Sequence, residues 1–397
     1  MQTECNVLIV GAGIIGLTIA RELLRKGVED IVIIEKEKQI GCHASGRNSG
    51  VLHAGIYYTP DSLKARLCLE GNRLMKQFCR EKGLTLKETG KVIVAKNYNE
   101  IEGLYELKRR ADVNGARSSL VDVRELSEIE PYAITYEKAL YSPETAVIMP
   151  LEILHALEEE LITSKKVKIF YSTAFVSSIK DHVVRTSSGF IRFKTFINAA
   201  GAYADRIAHE FGVAGHYKII PFKGTYKRLS KKKNALVKGN IYPVPDLRNP
   251  FLGVHFTRSA DDTVYIGPTA IPNFGRENYK IFDGLGIETL FILYNDFVLL
   301  LKDPVFRYSA IEEFKKYRKQ FVFKEARKLV KGLEPDDIES TDKIGIRAQL
   351  INTDTNKLEM DFVLIKDGDA LHILNAVSPA FTSSMAFAKY ALTQFLG

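Results

Sequence analysis

The chain has 397 residues, 46% hydrophobic and 26% charged, with a formal net charge of +8 at pH 7. That balance suits a folded protein with a sizeable core and two or three domains, and it excludes an intrinsically disordered chain. No apolar run approaches the ~18 residues that cross a bilayer. Four cysteines without CxxC spacing point to reduced, structural thiols and to no metal site.

Val7 to Val10 is a short unbroken apolar run, as expected of a parallel strand buried on both faces. Gly11-Ala12-Gly13-Ile14-Ile15-Gly16 follows at once. Gly11 permits a tight turn, Gly13 lets the backbone approach a pyrophosphate, and Gly16 lets the next helix pack on its strand, with the helix N-terminus supplying free N–H donors. Leu17, Ala20, Leu23 and Leu24 recur at helical spacing, and Gly27 marks the stop. Ile31 to Ile34 form a second strand that ends at Glu35, about twenty positions beyond Gly16, where a carboxylate accepts hydrogen bonds from an adenosine ribose. An acid there disfavours a 2′-phosphate, so FAD or NAD is expected rather than NADP. The first strand begins almost at Met1, leaving no room for a targeting peptide, and a cytoplasmic chain is expected.

Gly41 to Tyr58 is dense in Gly, Ser, Asn and His and has no regular period, the mark of a functional loop. Thr59-Pro60 reads as a helix start, with Leu63, Leu67, Leu74 and Phe78 as its buried stripe and Gly83 as its end. A strand from Lys91 to Lys96 and a helix from Tyr98 to Asn114 form a first excursion out of the nucleotide domain. Pro150 opens another helix, followed by strands at Val167 to Phe170, Phe175 to Ile179 and Thr195 to Asn198, the last leading through Ala200-Gly201 into a helix. A second excursion runs from Tyr217 to about Leu333. Alternation in Ile241 to Val244 and in Val254 to Thr257 predicts antiparallel strands, and Gly284 to Lys331 predicts helix. The end of that helix, Lys315 to Lys331, is strongly basic and reads most simply as a solvated face. Strands at Ile344 to Ala348, Phe362 to Ile365 and Leu371 to Leu374 then precede a helix from Met385 to Phe395.

The fold class expected is α/β, or α+β overall: a Rossmann-like FAD-binding domain (1–84, 147–216 and 335–397) with a discontinuous substrate domain of antiparallel sheet plus helices (85–146 and 217–334).

The glycine fingerprint together with the run from Ser45 to Tyr58 resembles the D-amino-acid oxidase-like FAD oxidoreductases. Lys238 to Asp246, Phe251 to Thr257, Gly345 to Gln349 and Asn375 to Ala380 extend the resemblance over essentially the whole chain. It implies FAD held by Gly11, Gly13, Ile15, Gly16, Glu35, Lys36, Ser45, Arg47, Asn48, Ser49 and Gly50, by Val176, Ala200 and Gly201 near the adenine end, and by Pro379, Ala380, Thr382 and Ser383 against the flavin. Helix-start N–H groups there would stabilise negative charge on the reduced ring. Some family members carry covalent flavin on the histidine of a His-Ala-Ala-Gly segment; here Ala54-Gly55 shortens the segment after His53, so a non-covalent cofactor is expected.

Within that family the same blocks imply oxidation of L-2-hydroxyglutarate to 2-oxoglutarate by hydride transfer to flavin, with quinone or oxygen as the electron acceptor. They also suggest peripheral contact of Lys315 to Lys331 with the anionic inner face of the cell membrane. Two other readings remain: oxidation of another small anionic hydroxy or amino acid, and a non-catalytic flavin-containing binder of RNA or protein. No nucleic-acid motif is present, and no nucleic-acid partner is expected.

Oxidising a 2-hydroxy acid at flavin needs a base for the hydroxyl proton and cations for the carboxylates. His53 or His255 is the expected base. Arg347, a permanent charge in an apolar-flanked strand, is assigned to the carboxylate beside the reacting carbon, and Lys223 to the far carboxylate. Tyr58 and Tyr242 supply hydroxyl hydrogen bonds.

Overall fold

The computed structural model describes residues 2–180, 182–245, 253–280 and 286–396; positions 246–252 and 281–285 of the segments named above, Asp246, Phe251, Leu252 and Gly284 among them, lie outside them. The run at Val7 is the centre of a strand, Gln2–Val10, that lies in the middle of the first sheet. It pairs in parallel with Ile31–Ile34 on one side and with Gly189–Asn198 on the other, and Val167–Phe170 adds beyond Ile31–Ile34. Leu8, Ile9, Val32 and Ile33 are wholly buried because both faces are covered. Helices Ile14–Arg25, Pro150–Thr163 and Ala380–Leu396 pack on one face. An aromatic cluster of Phe193, Phe196 and Phe211 packs on the other.

Gly189–Asn198 changes partner along its length, from antiparallel Val183–Thr186 to parallel Ala370–Ile373. The crevice lies outside the carboxyl ends of these parallel strands, where open α/β sheets bind ligands. A Cβ on Gly16 would lie 2.0 Å from the Gly11 carbonyl oxygen, so only glycine lets the first helix seat on its strand.

The helix expected at Thr59 instead spans Leu63–Lys82. Ser62 is its cap, accepting from the Ala65 N–H at 3.1 Å, and Asp361 accepts from the Leu63 and Lys64 N–H groups at 2.8 and 3.1 Å. Those bonds satisfy the orphan donors of the first turn and leave Thr59-Pro60 in the preceding loop. Gly83 ends the helix in the left-handed conformation, as expected.

The second sheet is built on a long antiparallel pair, Tyr217–Leu229 with Ile338–Asn352, in register Phe222 to Arg347 and Gly224 to Gly345. The strand carrying Arg347 therefore belongs to this sheet and not to the cofactor sheet, which corrects the expected grouping of 335–397. Asn240–Pro243 pairs with Lys91–Val94 in parallel, so the sheet is mixed rather than wholly antiparallel. The helical stretch after residue 286 is three helices, Ile287–Lys302, Pro304–Lys315 and Lys319–Ala326. Among the described residues no helix is long and apolar enough to cross a membrane.

Candidate active site

A cavity of about 1190 Å³ runs between the two sheets. At one end the glycine turn lines it. Gly11 is left-handed (φ +106°), and Glu35 is pinned beside it, one carboxylate oxygen accepting from the Ala12 N–H and the other from the Glu37 N–H, each at 3.0 Å. A carboxylate has about four acceptor sites, so two stay open for a ribose diol. The cavity-facing side of Gly13 meets only the Ser45 hydroxyl, 3.0 Å from where a Cβ would stand. That hydroxyl also accepts from the Ile14 N–H at 3.0 Å, at the head of the first helix.

Ile15, Val176, Ala200 and Gly201 border the same end, and Pro379, Ala380 and Thr382 border the other. Thr382 Oγ1 accepts from the His53 N–H at 3.2 Å and donates to the Val51 carbonyl at 3.3 Å, tying the start of the C-terminal helix to the long loop. These donors and the cleared backbone fit FAD along its length.

The loop residues brace one another at the cavity wall. Asn48 donates to the Ser45 carbonyl at 2.7 Å and accepts from the Gly50 N–H at 2.8 Å, and Ser49 accepts from the Val51 N–H at 3.4 Å. Arg47 donates to the Cys42 carbonyl at 2.6 Å and lies 4.2 Å over the Tyr279 ring. Lys36 reaches the cavity, but its ammonium is engaged by Glu37, by Glu277 at 2.5 Å and by His43 at 2.8 Å.

Three expected cofactor residues do not line the cavity. Gly16 serves helix packing. Gly50 is left-handed, and a Cβ there would stand 2.4 Å from the Ile148 carbonyl oxygen, so it shapes the loop from behind. Ser383 is buried where the C-terminal helix crosses Leu63–Lys82, its Cα 2.6 Å from a Cβ built on Gly71.

The substrate half brings together Arg347, His53, His255, Tyr58 and Tyr242. His255 Nδ1 lies 2.7 Å from the Gly253 carbonyl. A carbonyl only accepts, so that nitrogen carries the proton and Nε2 is left as an acceptor. Its ring sits 4.3 Å from that of Tyr242. Burial holds the His255 imidazole down to about 4, and burial followed by the charges of Lys91 and His255 holds that of His53 down to about 3. Both rings are thus neutral near pH 7, as a proton acceptor must be. The buried Nδ1 of His53 has no partner among the described residues.

Arg347 donates from Nε to Gln349 Oε1 at 3.1 Å, and burial lowers its guanidinium to about 10, with Tyr58 opposing. Lys223 is the failed assignment. Side chains alternate along a strand, and it is Phe222, Gly224 and Tyr226 of Tyr217–Leu229 that face the cavity. Lys223 faces away, its ammonium 3.4 Å from Asn278 Oδ1 and 3.3 Å from the Lys280 carbonyl.

Sequence reasoning missed several neighbours. Tyr57, Tyr226, Lys64 and Asp361 line the substrate half. Lys91 is buried behind it, its ammonium 4.4 Å from the Tyr57 ring and 5.0 Å from the Tyr242 ring. A lysine opening an otherwise apolar strand, Lys91-Val92-Ile93-Val94, was the available signal. Arg276 to Tyr279 lies against the cofactor end, anchored by Arg276 to Asp205 (Nη2 to Oδ2, 2.9 Å) and by Glu277 to Lys36.

Residues 6–393 match the family described as FAD dependent oxidoreductase. The chain is 36% identical to the mitochondrial L-2-hydroxyglutarate dehydrogenase of Bos taurus, over 96% of this chain and 86% of that one. It is 34% identical to the L-2-hydroxyglutarate dehydrogenase of Escherichia coli, over 98% and 92%. Among solved structures, the FAD-bound L-alpha-glycerophosphate oxidase of Mycoplasma pneumoniae shares the fold at a TM-score of 0.78 and 22% identity, covering 99% of this chain and 95% of that one. Glycine oxidase from Geobacillus kaustophilus does so at 0.72 and 17%, covering 99% and 95%. With a glycine turn, the pinned Glu35 carboxylate and the start of the C-terminal helix in one cavity, and a family match over residues 6–393, the chain belongs to the FAD-dependent oxidoreductases.

Proposed function

We propose that this enzyme oxidises L-2-hydroxyglutarate to 2-oxoglutarate. One observation carries the reading: Arg347 and two neutral histidines share the cavity that ends at the flavin-facing segment Pro379 to Thr382. The relatives named L-2-hydroxyglutarate dehydrogenase support it. Bound FAD supplies the acceptor for the hydride leaving C2. Arg347 holds the C1 carboxylate and so fixes which face of C2 is presented. His255 Nε2, or the unpartnered Nδ1 of His53, takes the hydroxyl proton, and Tyr58 and Tyr242 orient the polar groups. Anaerobic mixing of purified holoenzyme with L-2-hydroxyglutarate should bleach the flavin, and the D enantiomer should not. Bleaching by another member of a hydroxy and amino acid panel, but not by this diacid, would move the assignment to that compound. Flavin released by acid precipitation would support non-covalent binding.

The electrons are proposed to pass to quinone at an anionic membrane surface, with oxygen as the alternative acceptor. The basic stretch alone is a weaker basis than expected: Lys316 is buried and paired with Glu313, and Lys328 is paired with Glu325 at 2.6 Å. Better support comes from the two preceding helices. Ile287, Leu290, Tyr294, Phe297 and Leu301 form an exposed stripe on Ile287–Lys302, and Tyr308, Ile311 and Phe314 are exposed on Pro304–Lys315. The buried face is supplied by Ile292 and Leu299, packed on Ile220 and Phe222. An apolar outward stripe flanked by exposed Lys302, Arg307, Arg318 and Lys319 has the composition of an interfacial helix pair. Cosedimentation with anionic but not neutral vesicles, lost in a Phe297→Glu variant, would support this. Self-association that disappears in the same variant would point to a second copy of the chain instead.

A further inference from the structure

Three cations border the substrate half of the cavity: Arg347, Lys64 from the first turn of Leu63–Lys82, and Arg110, whose guanidinium is already engaged by Glu106 at 2.8 Å and by the Tyr57 carbonyl at 3.1 Å. Lys64 is badly placed for a structural role. A helix N-terminus repels a cation, and this first turn contains no acid. The residue is only 6% exposed. Among the described residues no hydrogen-bond acceptor or acid pairs with its ammonium, and the nearest aromatic face, Phe362, is 5.9 Å away. The carboxylate beside it, Asp361, is spent on the Leu63, Lys64 and Phe362 N–H groups.

Burial and then the neighbouring Arg347 charge push the Lys64 ammonium down to about 7, outweighing the opposing pull of the Asp361 carboxylate. A pair of enclosed cations costs free energy unless an anion joins them. The other lysines do not compete for that anion. Lys223 faces residues 278–280, and Lys91 is walled off behind Tyr57 and Tyr242 and does not border the cavity.

We propose that Lys64 binds the distal carboxylate of a dicarboxylate substrate while Arg347 binds the one beside the reacting carbon, so that Lys64 selects diacids over monoacids. This rests on the dicarboxylate reading above and names the residue that enforces it.

The test uses holoenzyme of the wild type, Lys64→Met, Lys64→Gln and Lys64→Arg. Anaerobic flavin reduction is followed with L-2-hydroxyglutarate and with L-2-hydroxyvalerate, a five-carbon monoacid in which a methyl group replaces the second carboxylate. Glutarate binding is followed by its perturbation of the flavin spectrum. The neutral variants should lose about 30-fold or more in kcat/KM for the diacid, with a much smaller loss for the monoacid, and Lys64→Arg should recover part of it. Glutarate binding should weaken in parallel. Equal losses on both substrates, or unchanged glutarate binding, would overturn the assignment. If the wild type oxidises neither acid yet binds glutarate in a Lys64-dependent way, the anion site stands and the turnover reading fails.

Discussion

Gly71 lies far along its helix from the reacting groups, yet its substitution should slow them. A Cβ there would stand 2.4 Å from the Thr382 carbonyl oxygen and 2.6 Å from the Ser383 Cα, both backbone atoms that cannot rotate aside. Restoring ordinary contact requires the two helices to part by roughly 1 Å. Overpacking of this kind costs about 1–3 kcal/mol, of which Gly→Ala recovers about 1 kcal/mol in helix propensity. Net destabilisation should therefore be about 0–2 kcal/mol, leaving the protein folded. The displaced segment carries Thr382, whose hydroxyl accepts from the His53 N–H at 3.2 Å, so the cavity-lining start of the C-terminal helix and the histidine loop move together. A misplacement of about 1 Å at reacting groups costs on the order of 10²-fold. Stopped-flow flavin reduction of Gly71→Ala, alongside its thermal melt, measures both quantities. Reduction within twofold of wild type, with an unaltered flavin spectrum, would refute the coupling.

Four further outcomes follow from the geometry. Arg347→Lys keeps the charge but loses the planar fork, so kcat/KM should still fall by at least about tenfold with FAD retained. His53→Gln and His255→Gln should separate the base from its neighbour, the true base costing about 10²- to 10⁴-fold in flavin reduction; wild-type rates in both would exclude a histidine. Because burial holds the two imidazoles down to about 3 and 4, protonation should not cut the reduction rate between pH 6 and 8, and the loss should come at lower pH. Arg276→Met should destabilise by about 3–5 kcal/mol in urea unfolding, since it strands the buried Asp205 carboxylate.

Much of the cofactor half was legible because its signals are local. A buried strand, a glycine turn, a helix and a terminal acid follow one another from Val7 to Glu35, and each constrains the next within a few residues. Arg347 was visible as a permanent charge in an apolar-flanked strand, and His255 as an imidazole in a segment of alternating polarity, although the strand itself begins one residue later, at Phe256. What stayed hidden depends on pairing between distant segments. Lys223 was misassigned because the face a strand residue presents is set by its register with Ile338–Asn352, more than a hundred residues on. Lys64 gave little sign because the helix start it belongs to is fixed by Asp361, 298 residues beyond Leu63. Ser383 looked like a flavin contact from its neighbours, but a helix turns adjacent residues about 100° apart, and only the crossing at Gly71 decides which of Thr382 and Ser383 faces inward.

The same buried charge links stability to ligand binding. In the folded chain Lys64 and Lys91 are each pushed down to about 7, chiefly by burial, whereas an unfolded lysine titrates near ~10.4. Between these values the unfolded chain binds more protons than the folded one, so stability without substrate should rise as pH climbs from about 7 towards ~10. A bound dianion reverses the balance at Lys64, because an adjacent carboxylate favours the charged ammonium. Binding at pH 8 should therefore draw a proton from solution. In calorimetry the apparent enthalpy of glutarate binding should vary with the ionisation enthalpy of the buffer, with a slope whose sign reports proton uptake. Lys64→Met should lose most of that slope, while a slope of zero in the wild type would mean that the ammonium is already charged before the anion arrives.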